Sequence, residues 1–158
     1  MVGILQSGTI TPGHLASWQT DGVLGDAGPN PYSDRVIASL LGADFNSTGD
    51  QPIVLPSDLL AFQLTGILIA NASESLNTAV GGFYPQALKA GTAIVANSQT
   101  YTTLTTALLL MNATLSSYGS TNRFTRTQLP DWSIYFALTT AQGTACTADI
   151  YLLGIQLS

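Results

Sequence analysis

The chain has 158 residues, of which 8% are charged and 46% are apolar, and its formal net charge is −5. Because that apolar content is ordinary while charged residues usually make up about 25% of a globular protein, a disordered chain is excluded. Four Lys and Arg residues are too few for a nucleic-acid-binding face. Since lone monomers usually depend on surface charge for solubility, the composition predicts a surface partly covered in a homo-oligomer or lattice.

The first 31 residues are punctuated by Gly and Pro. Residues 14–20 alternate, and the turn-forming pair Asp21 and Gly22 precedes Val23, which predicts a small β-hairpin. An isolated hairpin is only marginally stable in water, so this segment is expected to dock on its own body, a neighbour or a partner. The amino terminus has no basic segment followed by a long apolar stretch, and no signal peptide is expected.

A short helix is predicted next, because Ser33 or Asp34 can cap it and Gly42 is a natural stop near its end at Leu41. The turn-rich bridge at residues 45–52 then indicates a domain boundary near residue 44. We therefore expect an N-terminal attachment arm over 1–44, made of the hairpin and the helix, and a main domain over 45–158. The apolar residues at helical spacing are Val36, Ile37, Leu40 and Leu41.

From residue 59 onward the pattern is strand, break, strand, with little helix between. Residues 106–115 fit either a helix or a strand, and their neighbours favour the strand. A bend is expected at Gly66 and a bulge or tight corner at Gly81 and Gly82. About eight short strands at regular spacing favour an all-β, antiparallel two-sheet jelly roll or β-sandwich. The longest apolar run is far shorter than the roughly 20 residues of a membrane helix. The predicted strands cover residues 53–55, 59–69, 78–85, 91–96, 99–104, 106–115, 132–138 and 145–157.

Short sequence motifs occur in order along the chain after residue 44, namely FNSTGDQ at 45–51, NAS at 71–73, GGFY at 81–84, GTAIVA at 91–96, LTTAQG at 138–143 and TADIY at 147–151. Together they resemble a domain of structural proteins from tailed bacteriophages and prophages. The motifs TPGH at 11–14 and WQTDGV at 18–23 resemble a short module that precedes fibre-like, adaptor-like or decoration domains in phage virions. The resemblance implies a virion component, namely a trimeric jelly-roll capsid decoration or cement protein or head fibre, assembled in the host bacterial cytoplasm. It implies the major capsid protein or other virion proteins as partners and carries over no catalytic residue.

The residues offer little for catalysis. His14 is the single histidine and Cys146 the single cysteine, so a metal site lacks companions, and Cys146 is expected to be a buried apolar residue. No nucleophile-elbow motif occurs. The acids mostly adjoin turn-forming residues, so turn and cap roles account for them better than a glycan-cleaving pair. We therefore expect a protein that is not an enzyme, with no cofactor, metal, nucleic acid or membrane partner.

Five residues are candidates for partner contact. Trp18 and Tyr32 are aromatic anchors in the arm, where His14 also lies, although most aromatics of the chain are expected in the core. Arg123 and Arg126 can bond across a subunit boundary or belong to a solvated loop. The first hypothesis is a capsid decoration protein that stabilises the head as a trimer. The rival is a receptor-binding, glycan-binding or adaptor module of a tail or neck fibre.

Overall fold

A computed structural model describes residues 5–6, 14–18, 23–29, 35–105 and 110–157. It divides the chain into two compact units, Met1–Ser33 and Asp34–Ser158. The first unit contains the strands β1 (Leu5–Gln6), β2 (His14–Trp18) and β3 (Val23–Pro29) in the order β1-β3-β2. Strands β2 and β3 are antiparallel, which confirms the predicted hairpin, while β1 pairs with β3 in parallel. The predicted turn at Asp21 and Gly22 lies outside the described residues.

The second unit is an all-β sandwich of two antiparallel sheets, as predicted. In the larger sheet the order is β4-β11-β6-β8, and β9 pairs with β6 beside β8. In the smaller sheet β10 lies between β5 and β7. The strands are β4 (Arg35–Asp44), β5 (Gln51–Val54), β6 (Ala61–Ala70), β7 (Val80–Tyr84), β8 (Leu110–Asn112), β9 (Arg123–Thr125), β10 (Ser133–Thr140) and β11 (Thr147–Leu157).

The core lies between the two sheets, because strand side chains alternate between a buried and a solvent-facing side. Ile150 and Leu152 of β11 point inward, and so does Phe136 of β10. The ring of Phe136 lies 4.8 Å from that of Phe45 and 5.1 Å from that of Phe83, between ring centroids. Aromatic contacts of this kind add to the burial of apolar area and join the loop at residue 45 to β10 and, through Phe136, to β7.

The predicted helix ending at Leu41 is wrong, because these residues form strand β4, which pairs with β11 along its length. The register shifts twice in this pairing, once at Ile37 and once around Leu41 and Gly42. A bulge interrupts strict alternation, so the apolar residues of β4 acquire a spacing that resembles a helix. Since β4 belongs to the larger sheet, the described units separate between Ser33 and Asp34 and not near residue 44.

The strands predicted at 91–96 and 99–104 are also wrong, since these segments are loops that make only isolated bridges. Val95 forms isolated β-bridges with Phe83 and with Leu115, and Thr100 forms one with Val80. Between residues 106 and 115 the strand covers only Leu110–Asn112, and residues 106–109 lie outside the described part of the chain. The helix found in the described residues is α1 (Ser117–Thr121), capped by the side chain of Ser116.

Candidate functional site

The side of the larger sheet that faces away from the core carries six apolar side chains, with polar ones such as Ser39 and Gln63 among them. We call it the outer face, defined by Leu68, Leu110, Tyr151, Leu153, Ile155 and Leu157. Leu110 is exposed and the other five are partly exposed. The strand pairing places Leu68 of β6 opposite Tyr151 of β11. It places Val36 of β4 opposite Leu153 of β11. An apolar surface that spans several strands is typical of a protein–protein contact and unusual on a lone soluble domain.

Two charged residues border the outer face at its ends. Arg123 lies opposite Gln63 on β6, which in turn pairs with Ile155. Asp149 lies at the other end of β11, opposite Ala70. Its carboxylate accepts hydrogen bonds from Nδ2 of Asn71 (2.9 Å) and from the backbone N–H of Gly42 (2.9 Å). These two bonds, with a weaker one from Tyr151, outweigh partial burial and lower the pKa of Asp149, so the carboxylate is fixed in its charged form.

The sheet edges are poorly suited to strand addition. An open edge strand invites pairing with another chain unless a bulge, a proline or a covering segment blunts it. Strand β4 carries two bulges, β5 carries Pro52, and β7 is covered by residues 94–100 through bonds such as Phe83 N–H to the carbonyl of Val95 (3.2 Å). Strands β8 and β9 have three residues each. Association of this unit through a face is therefore favoured over association through an edge.

The loop that follows β7 presents an apolar tip. Leu88 is 88% exposed, and both Leu88 and Lys89 have left-handed backbone conformations, with φ of 59° and 57°. Such values are costly for residues other than Gly. The backbone N–H of Leu88 donates to Oδ2 of Asp50 (2.5 Å), and Nζ of Lys89 donates to the carbonyl of Thr48 (3.3 Å). The loop is thus held in a strained shape that places a leucine in solvent.

Two tyrosines lie side by side on the side of the smaller sheet that faces away from the core, where Tyr84 is buried and Tyr135 is partly exposed. Tyr84 pairs with Tyr135, whose hydroxyl donates to Oδ2 of Asp131 (2.8 Å). That bond, with partial burial and the charges of Asp131 and Asp50, raises the pKa of Tyr135. Burial and Asp50 likewise raise the pKa of Tyr84. Tyr84 is 4% exposed, and its buried hydroxyl has no hydrogen-bond partner among the described residues.

A surface cavity of about 230 Å³ opens where β4 begins and the chain leaves β5. Val36, Ile37, Pro56 and Leu59 supply its apolar walls. Its polar lining consists of Arg35, Asp58 and Gln156.

The predicted contact residues do not form one site. His14 and Trp18 lie at the two ends of β2 in the first unit, and Tyr32 lies outside the described residues. Arg123 borders the outer face. The guanidinium of Arg126 lies 4.5 Å from the ring centroid of Trp132, and its Nη2 donates to the carbonyl of Ser57 (3.5 Å), so this arginine has an intramolecular role. The sequence did not single out Leu88, because a left-handed leucine leaves no signal in composition or spacing.

Comparison with known proteins gives no relative. No family model matches the chain, and neither a curated protein nor a solved structure is significantly similar to it. In the residues that the structure describes, no three His, Cys, Asp or Glu side chains come close enough to hold a metal ion. In the same residues no helix is long and apolar enough to cross a membrane. The outer face, the Leu88 tip and the cavity are therefore the features from which a function can be argued.

Proposed function

We propose that the chain is a non-enzymatic structural protein of a bacteriophage virion, a jelly-roll decoration or cement protein that stabilises the head as a trimer. The observation that carries the proposal is the apolar outer face of the larger sheet. Its charged border residues, Arg123 and Asp149, lie at opposite ends. A shell protein that covers this face would need an apolar surface with an acid near Arg123 and a donor near Asp149.

The size of the outer face supports this role. Strands lie about 4.8 Å apart and rise about 3.4 Å per residue, so four strand positions over eight residues span on the order of 500 Å². Two such surfaces pressed together approach the roughly 1,000 Å² that a specific interface requires. A protein that binds only the assembled shell shifts the equilibrium toward it by mass action, and this stabilises the head without any chemistry.

The test uses the phage that encodes the chain. Heads from a strain with the gene deleted are mixed with purified full-length protein, and the bound protein and the heat stability of the heads are measured. We expect the wild-type protein to bind and to raise the temperature of genome release. Leu153→Asp on the outer face should abolish binding, whereas Thr102→Asp, an exposed loop position, should not. A wild-type protein that leaves these heads bare would overturn the proposal.

A receptor- or glycan-binding module of a tail or neck fibre is the second candidate, and Tyr135 favours it. Tyr135 is partly exposed and its hydroxyl donates to Asp131, which is exposed, so the pair offers an aromatic ring and polar groups that could orient a sugar. Glycan-array binding by the wild-type protein that Tyr135→Ala abolishes would support this candidate. Binding to heads with no glycan bound on the array would support the decoration role instead.

A further inference from the structure

We infer that the chain assembles head to tail, with the Leu88 tip of one copy inserted into the cavity beside Val36 and Leu59 of the next copy. This inference deepens the proposed function, from which it takes the number of subunits, three. The tip and the cavity are the surfaces that hold the subunits together. The outer face, apart from the neighbouring Val36 on β4, then remains free for the particle shell.

The tip has the properties of an anchor. Its leucine is almost fully exposed, and its backbone is held in place before any partner arrives, by the bonds to Asp50 and Thr48. A preordered anchor loses less conformational freedom on binding than a flexible one. The left-handed backbone of Leu88 is costly and persists only because the bonds to Asp50 and Thr48 enforce it. The isolated subunit gains no packing from this cost, because the side chain lies in solvent.

The cavity fits this anchor in size and in surface. Its volume of about 230 Å³ has room for a leucine side chain, and its lining is mixed, with polar groups alongside the apolar ones. Val36, Ile37, Pro56 and Leu59 give it apolar walls. A buried apolar side chain at the centre of a contact is the usual source of most of its binding energy.

The charges around the tip and the cavity are complementary. Lys89 follows Leu88 at the tip, and Asp50 holds the base of the tip. Asp58 and Arg35 line the cavity. A docked tip can therefore pair Lys89 with Asp58 and Asp50 with Arg35 of the next copy. Complementary pairs of this kind fix the register of a contact and disfavour other partners.

The tip and the cavity are separate surfaces. Asp50 precedes β5, and Pro56 and Asp58 follow it, so the tip and the cavity lie at opposite ends of this strand. A contact between two different surfaces can repeat from copy to copy until the rotation closes a ring, such as the trimer of the proposed function, or can be exchanged reciprocally in a two-fold dimer. We assign the ring, and a wild-type chain that sediments as a dimer would overturn this assignment.

The test blocks each surface separately and then mixes the variants. Leu88→Asp blocks the tip, Val36→Lys with Asp58→Lys blocks the cavity, and Leu60→Asp is the control, because Leu60 is another exposed leucine that lies outside both surfaces. Sedimentation of the full-length chain should give an oligomer for wild type and for the control. Each blocked variant should dissociate, with the dissociation constant raised at least about tenfold.

The decisive measurement is the mixture of the two blocked variants. One retains a working cavity and the other a working tip, so an equimolar mixture should form one-to-one dimers and nothing larger. Oligomers that survive both blocks, a mixture that stays monomeric, or a wild type that is monomeric would each overturn the inference. Those outcomes leave the proposed function intact if the wild-type protein still binds heads, and failure to bind heads would not affect the sedimentation result.

Discussion

The backbone N–H of Gly42 on β4 donates to Oδ1 of Asp149 on β11 at 2.9 Å, where the register between the two strands shifts. Gly42 has a φ of 65°, so the bulge turns its N–H out of the strand ladder and toward the carboxylate. Oδ2 of the same carboxylate accepts from Asn71, next to the end of β6. One side chain therefore joins three strands at one end of the outer face.

This arrangement predicts a pH dependence of stability. Because the pKa of Asp149 is lowered in the folded protein from its ordinary value of 3.8, its contribution is complete above that value. The contribution is lost as the pH falls through the lower folded-state pKa. Asp149→Asn should therefore lower the melting temperature at pH 7 and flatten its decline below pH 4. Glu74→Gln, a change at an exposed acid, should leave both unchanged, and an identical effect of the two substitutions would contradict the prediction.

A second prediction concerns Gly82 in β7. A Cβ atom built there would lie 2.3 Å from the carbonyl oxygen of Val95, which belongs to the segment that covers the edge of β7. Gly82→Ala should force the two backbones apart and lower the free energy of unfolding by about 1–3 kcal/mol. Gly49→Ala is the matched control, since its Cβ would meet only Ser47 Oγ at 3.4 Å. Equal urea midpoints for the two variants would show that the contact is not close.

The sequence predicted the fold class, the hairpin, the main strands and the burial of Cys146, because alternation and turn residues are local signals. The sequence-based predictions were wrong for segments whose conformation depends on contacts with residues far away in the chain. The bulges of β4 are set by pairing with β11, more than a hundred residues away in the chain. The loop at Val95 bonds across the edge of β7 without forming a strand. The Leu88 tip depends on Asp50, and no local pattern reveals such a bond.

The contact between Arg126 and Trp132 leads to a third prediction. The guanidinium lies over the indole ring at 4.5 Å, and the indole Nε1 donates to the carbonyl of Pro56 (2.8 Å). Arg126→Gln should cost about 0.5–1 kcal/mol in free energy of unfolding, the usual size of an exposed cation–π contact. Arg123→Gln, which removes the same charge without a stacked ring, should cost less. Denaturant titrations followed by tryptophan fluorescence would measure both, and a larger effect at Arg123 would contradict the assignment.

The last prediction separates stability from assembly at Leu88. Asn tolerates a left-handed backbone better than Leu does, and Leu88 makes few contacts because it is 88% exposed. Leu88→Asn should therefore leave the free energy of unfolding of the dissociated subunit unchanged, or raise it by up to about 1 kcal/mol. The same substitution should weaken self-association, because an amide gains less than a leucine from contact with the apolar walls of the cavity. Thermal unfolding at low protein concentration and sedimentation at high concentration test the two effects separately. A variant that is less stable and equally associated would show that the strained tip serves the fold and not the contact between copies.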